Sequence, residues 1–159
     1  MAARLRTGNA IRNIQLPRAN FEARDHSPLV SRPNVLLALN EPSLRKFLPA
    51  MEPGGLVLYN GPFLPEDCVR KEIRAIALPF THLGDELGSS KVGNIVMLGA
   101  LLEATSLLEP EQVTAALRRL VKSDKWFDLD LIALERGREE VRKSGDAFAP
   151  AGEDYLWGV

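Results

Sequence analysis

Val35-Leu36-Leu37-Ala38-Leu39, closed by Asn40-Glu41-Pro42, is the first of four apolar runs that decide how this chain folds. The second, Leu56-Val57-Leu58-Tyr59, follows Pro53-Gly54-Gly55, and the third, Ile73-Arg74-Ala75-Ile76-Ala77-Leu78, stops at Pro79. Each is short and nearly unbroken, with Gly, Pro or Asn at its ends, which is how fully buried parallel strands read. The fourth, Gly93-Asn94-Ile95-Val96-Met97-Leu98-Gly99-Ala100-Leu101, is longer and apolar nearly all round, as a buried helix is. Together they predict an α/β domain with a mostly parallel sheet flanked by helices and a helical C-terminal part.

The linking residues support that order. Asn40 is a good N-cap, Glu41 suits a first helical turn and Pro42 is tolerated there, so a short helix with Leu44, Phe47 and Leu48 on its apolar face should follow the first strand. Strand, helix and strand in succession make a right-handed crossover. Gly61 to Lys71 is broken by Pro62 and Pro65 and is too short for a full crossover helix, so the third strand should be reached by an extended path. In such sheets ligands bind beyond the carboxyl ends of the strands, here Leu39-Asn40-Glu41, Tyr59-Asn60-Gly61 and Leu78-Pro79-Phe80-Thr81. After them Thr81–Leu87 reads as a short helix with Thr81 as its N-cap, and Asn94–Thr105 as the buried one. Pro110–Val121 is the clearest amphipathic helix. A last, highly charged helix runs from Asp128 to about Lys143.

With 159 residues the chain suits one domain with a sizeable core. A net charge of -1 gives no global attraction to nucleic acid or to an anionic membrane, and 6% aromatic residues argue against a stacking surface for single strands. No apolar run is long enough to cross a bilayer, and Met1–Ile14 lacks the apolar core of a signal peptide; a cytoplasmic protein is the simplest expectation. Residues 1–33 form a basic arm with six arginines against Glu22 and Asp25; its Ile11–Leu16 stretch alternates like one strand. The tail, residues 144–159, carries Tyr155 and Trp157, which either fold back on the domain or anchor a partner.

Catalytic groups are scarce. Cys68 is the single cysteine and His26 and His82 the two histidines, which excludes an internal disulfide, a Cys/His zinc site and a four-Cys cluster. Neither a nucleophile–base arrangement nor a Gly-x-Gly-x-x-Gly turn is present. His82 sits well, just past the third strand, but has no acid or nucleophile beside it in sequence. The Gly88–Asn94 loop, rich in Gly, Ser and Lys, precedes a helix and offers two readings: an anion site, or a capping loop in which Asn94 satisfies free backbone donors.

The Val35–Asn40 run, Pro53-Gly54-Gly55, Ala77-Leu78-Pro79-Phe80-Thr81 and Gly93–Leu101, with the upstream Ser27–Pro33 and the late Leu129–Gly137 segment, resemble the gamma subunit or domain of the 2-oxoacid:ferredoxin oxidoreductases. The resemblance spans roughly Ser27 to Val141. It implies a Rossmann-like domain over 34–143, between the 1–33 arm and the 144–159 tail. Members of that family open with a strand, a Gly-x-Gly-Gly-Gln-Gly turn and a helix. None of that turn is present here; Arg6-Thr7-Gly8-Asn9 is at most a remnant of a later Arg-Gly-Gly segment. The chain thus looks N-terminally shortened, without the first βα unit, and one flank of its sheet is expected to be open.

The resemblance implies a non-catalytic component of a complex that oxidatively decarboxylates a 2-oxoacid to an acyl-CoA and passes electrons to ferredoxin. Thiamine diphosphate, iron–sulfur clusters and CoA are then expected in the partner alpha and beta subunits. No catalytic, cofactor-binding or metal residue is carried over. The subunit-interface candidates are Asn40, Pro79, Phe80, Thr81, Gly93 and Asn94. Two rivals remain: a free-standing module that binds an anionic ligand at the 89–94 loop, and a truncated, association-only protein.

Overall fold

The structure of the chain, a computed structural model, describes residues 32–144. Three parallel strands, β1 (Val35–Ala38), β2 (Leu56–Asn60) and β3 (Arg74–Leu78), lie in the order β1-β2-β3. Val35 stands opposite Leu56, and Leu56 opposite Arg74. Helix α1 (Glu41–Phe47), prolonged by a 3₁₀ turn at Leu48–Ala50, crosses from β1 to β2. From β2 to β3 the chain takes the extended route, with a single 3₁₀ turn at Glu66–Cys68. Beyond β3 come α2 (Phe80–Glu86), a 3₁₀ turn at Ser90–Val92, α3 (Gly93–Thr105), α4 (Pro110–Leu120) and α5 (Asp124–Ser144).

The period of two in β2 splits the interior into two layers. Leu56 and Leu58 join Ile76 on one face, under Phe80, Val96, Met97 and Ala133 from the helices that follow β3. Val57 and Tyr59 point the other way and meet Leu44, Leu48, Met51, Cys68 and Ile73. Each fully covered Leu, Ile or Phe contributes about 1.5–3 kcal/mol by leaving water. The first strand is less covered than its sequence suggests: as an edge strand among the described residues it leaves Leu37 42% exposed.

Helix α3 has no polar face because it is gripped from two sides. A Cβ on Gly99 would collide with the Leu134 carbonyl of α5, and one on Gly137 of α5 would collide with the Val96 carbonyl. Toward α2, a Cβ on Gly84 would lie 2.7 Å from the Gly93 amide nitrogen. Only glycine permits these backbone approaches. Around this seam Glu103 of α3 accepts from Arg138 (3.2 Å) and Arg142 (3.0 Å) of α5.

Four local expectations need correction. Helix α5 starts at Asp124, not Asp128, so Trp126 and Phe127 are helical; Phe127 is held under the Arg118 guanidinium, 4.8 Å from its ring centroid. Helix α2 starts at Phe80 with Pro79 at the N-cap, because Phe80 is drawn into the core and Thr81 is engaged elsewhere. The N-cap position of α3 is Val92, and Asn94 stands inside the first turn. In α1, Leu44 and Leu48, four residues apart, share the buried face, whereas Phe47 turns to the flank and is 43% exposed. The expectations for Ile11–Leu16, His26, Tyr155 and Trp157 fall outside the described residues. Among those described, no helix is long and apolar enough to cross a membrane.

Candidate functional site

The carboxyl ends of the three strands are tied by one side chain, Asn60. Its Nδ2 donates to the Leu39 carbonyl at 3.2 Å and to Thr81 Oγ1 at 2.9 Å. Its Oδ1 accepts from the Thr81 backbone N–H at 3.1 Å. Asn60 closes β2, Leu39 follows β1 and Thr81 follows β3, so a single amide fixes the relative height of all three ends. The residue directly after Leu39, Asn40, is the N-cap of α1: its Oδ1 accepts from Ser43 N–H at 2.9 Å, and its extended backbone turns the chain off the sheet.

The other candidates gather around this latch. Pro79 is half-buried and its carbonyl accepts from Leu83 N–H at 2.9 Å. Phe80 is 1% exposed and belongs to the core. Gly93 is buried against the Phe80 carbonyl, and a Cβ there would also lie 3.0 Å from the Thr81 Cα. Thr81, Asn40 and Asn94 are exposed. The six candidates thus occupy one neighbourhood, in which Asn40, Thr81 and Asn94 present side chains to solvent and Phe80 and Gly93 support them from within. Asn60 itself is absent from the sequence-derived set. Its signal was a polar residue closing an otherwise buried strand, but its partners lie 21 residues away on either side.

Two apolar side chains flank this edge: Leu39, 57% exposed, and Phe63, 76% exposed. The loop that carries Phe63 is fixed at both ends. Gly61 N–H donates to the Leu78 carbonyl at 3.1 Å, and Asp67 is ion-paired with Arg45, which also holds Glu41. The guanidinium hydrogen bonds keep the Asp67 carboxyl below its ordinary range. A firmly held edge with exposed Leu and Phe beside neutral Asn and Thr is chemically suited to receive another surface.

The same geometry answers the rival readings. In the Gly88–Asn94 loop, Lys91 N–H donates to Ser89 Oγ at 3.3 Å, Val92 N–H to the Ser89 carbonyl at 3.1 Å, and Gly93 N–H to the Ser90 carbonyl. Three of the backbone donors before α3 are thus engaged inside the loop, and Ser89, not Asn94, does the capping. His82 is largely exposed, and the expectation that no acid stands near it in sequence is corrected: one helical turn on, Glu86 brings Oε1 to 3.5 Å from its Nε2. Cys68 is buried, and burial pushes its thiol up, away from the nucleophilic thiolate. Among the described residues no group of three or more His, Cys, Asp or Glu could hold a metal ion.

Residues 10–140 match the family described as Pyruvate ferredoxin/flavodoxin oxidoreductase, and the chain belongs to that family. It is 36% identical over 121 residues to the ketoisovalerate oxidoreductase subunit VorA of Methanothermobacter marburgensis, a match that covers 74% of this chain and 25% of that one. The 2-oxoglutarate synthase subunit KorC of Methanothermobacter thermautotrophicus is 28% identical over 133 residues, 78% of this chain and 70% of that one. The fold is that of the keto/oxoacid ferredoxin oxidoreductase gamma subunit from Geobacter sulfurreducens, with a TM-score of 0.61 at 24% identity over 69% of this chain and 64% of that one. The chain therefore spans about a quarter of the length of VorA.

Proposed function

We propose that this chain is the gamma component of a cytoplasmic 2-oxoacid:ferredoxin oxidoreductase, with an assembly role and no catalytic set of its own. The observation that carries this reading is the family match across residues 10–140. The VorA and KorC similarities and the gamma-subunit fold support it. The complex oxidises a 2-oxoacid with loss of CO2, transfers the acyl group to CoA and reduces ferredoxin. The relatives' names differ between ketoisovalerate and 2-oxoglutarate, so the substrate class is the 2-oxoacid as such.

Thiamine diphosphate, the iron–sulfur clusters and CoA belong, on this reading, to the alpha and beta subunits. The residues of this chain do not fit a cluster: its single cysteine, Cys68, is buried, and burial pushes its thiol up. No step is routed through such a group here. Asn40, Thr81 and Asn94, shaped by Asn60 and supported by Pro79, Phe80 and Gly93, face the partner subunits, with Leu39 and Phe63 as the apolar part of the contact. Neither nucleic acid nor membrane is a partner.

Co-expression with alpha and beta subunits encoded alongside tests this. The expected result is one complex that contains thiamine diphosphate and iron–sulfur clusters and reduces ferredoxin only in the presence of a 2-oxoacid and CoA, with loss of assembly or turnover when this chain is omitted. A chain that stays monomeric beside those subunits, leaving their turnover unaffected, would end the proposal.

A further inference from the structure

We infer that the Asn60–Gly61 step is a site of self-modification, where the chain deamidates unless the hydrogen bonds that tie the strand ends together hold. It is the one Asn-Gly pair in the sequence. An asparagine amide is attacked by the backbone nitrogen of the residue that follows it. Glycine, with no Cβ, leaves that nitrogen least hindered and most free to turn. In the reaction Gly61 N bonds to Asn60 Cγ and the Cγ–Nδ2 bond breaks. Nδ2 leaves as ammonia, having taken up the proton that Gly61 N gives up. Water then opens the cyclic imide at one or the other carbonyl, which gives an aspartyl or an isoaspartyl residue at position 60.

The folded chain polarises the amide but withholds the nucleophile. Thr81 N–H, 3.1 Å from Oδ1, draws electrons from the amide carbon. Gly61 N–H, however, donates to the Leu78 and Tyr59 carbonyls at 3.1 Å each, which keeps its proton in place. Gly61 is also buried against the Tyr59 ring, with no room for a Cβ, so its peptide has little freedom to rotate. Nδ2 is held by the Leu39 carbonyl and Thr81 Oγ1, which stops Cγ from swinging toward that nitrogen. Reaction therefore waits for local opening of the carboxyl edge.

The consequence is one-sided. A carboxylate at position 60 still accepts from Thr81 N–H, and the Thr81 hydroxyl can turn to donate to it, so the tie to β3 survives. It has no proton for the Leu39 carbonyl, 3.2 Å away, and repels it. The tie to β1 is lost, and the loosening passes through Asn40, the next residue, into the first turn of α1. An isoaspartyl residue adds a backbone methylene ahead of Gly61 and disturbs its bond to Leu78 as well. This inference rests on the geometry of the edge and is independent of the reading of the chain as a gamma component.

To test it, the full chain is incubated at mildly alkaline pH, with and without urea, and deamidation at each asparagine is followed by peptide mass spectrometry. In urea, position 60 is expected to react ahead of Asn40 and Asn94, which are followed by Glu41 and Ile95. Without urea, its reaction is expected to be about tenfold slower or more, because only opened chains react. Thr81→Ala removes one acceptor of Nδ2 and is expected to speed the native reaction roughly three- to tenfold. Thr81→Ser, which keeps the hydroxyl, is expected to return it to the slow rate. Asn60→Asp is expected to raise amide exchange at Ser43 and Leu44 while Thr81 stays protected. A native rate equal to that in urea overturns the inference, as does one that Thr81→Ala leaves unchanged. An Asn60→Asp chain whose α1 exchanges as before overturns the structural consequence.

Discussion

The two faces of the sheet are built from the same strands yet are covered in different ways. Under one face α2, α3 and α5 lock backbone to backbone, through Gly84 on Gly93 and through the Gly99 and Gly137 crossing. Over the other lie one seven-residue helix, two 3₁₀ turns and the loops between them, held by side chains such as Leu44 and Met51. The first face leaves no room for a methyl group at its seams. The second leaves Phe47 and Val69 partly in water. The helical face is therefore the rigid frame, and the α1 face together with the carboxyl edge is the side with surface to spare for contacts outside the chain.

The contrast can be broken most directly at the crossing. Gly137→Ala places a methyl group on the Val96 carbonyl, and neither helix backbone can yield; a loss above about 4 kcal/mol is expected in denaturant titration. On the opposite face Leu44→Ala removes a fully buried side chain from a layer better able to collapse, and about 2–4 kcal/mol is expected in the same titration. Equal losses at the two sites would erase the distinction. Asn60→Leu leaves the Thr81 N–H and the Leu39 carbonyl without their partner and should cost about 1–3 kcal/mol. Amide exchange at Thr81 should rise, with α3 unaffected.

The smallest effect concerns a flaw in the rigid frame. Asp130 of α5 is 8% exposed, and burial alone pushes its carboxyl up. An acid whose folded-state pKa lies above its unfolded value binds its proton more tightly when folded. Its favourable contribution is thus complete below the ordinary carboxylate range and is lost as pH rises through the folded value. Asp130→Asn should raise the melting temperature at pH 7 by a few degrees, with the gain shrinking below about pH 4. A gain that stays constant with pH would point to packing instead.

The sequence is most readable where the interaction is local. Asn40 caps α1 through a residue three positions on, and the unbroken Leu56–Tyr59 run announces a central strand. Gly99 signals a close neighbour but not which one, because Gly137 lies 38 residues away on a helix whose early turns, Trp126 and Phe127, look nothing like helix in isolation. Thr81 has every property of an N-cap, yet its hydroxyl is claimed by Asn60 across the sheet while Phe80, drawn into the core, starts the helix one residue early. The candidate site follows the same rule. Its neighbourhood was readable from where the strands end, whereas the amide that binds those ends together depends on two partners that no local pattern reveals.

The crossing of α3 and α5 also bears on synthesis. β1 to α3 emerge from the ribosome in sequence, and neighbouring strands pair without waiting for distant segments. The wall that shields the Gly99 flank of α3, however, is the last of the described helices to be made. Until Asp124–Ser144 has left the exit tunnel, the most apolar of the described helices is bare on one side, and a nascent chain stalled before that point would be a natural client for holdase chaperones.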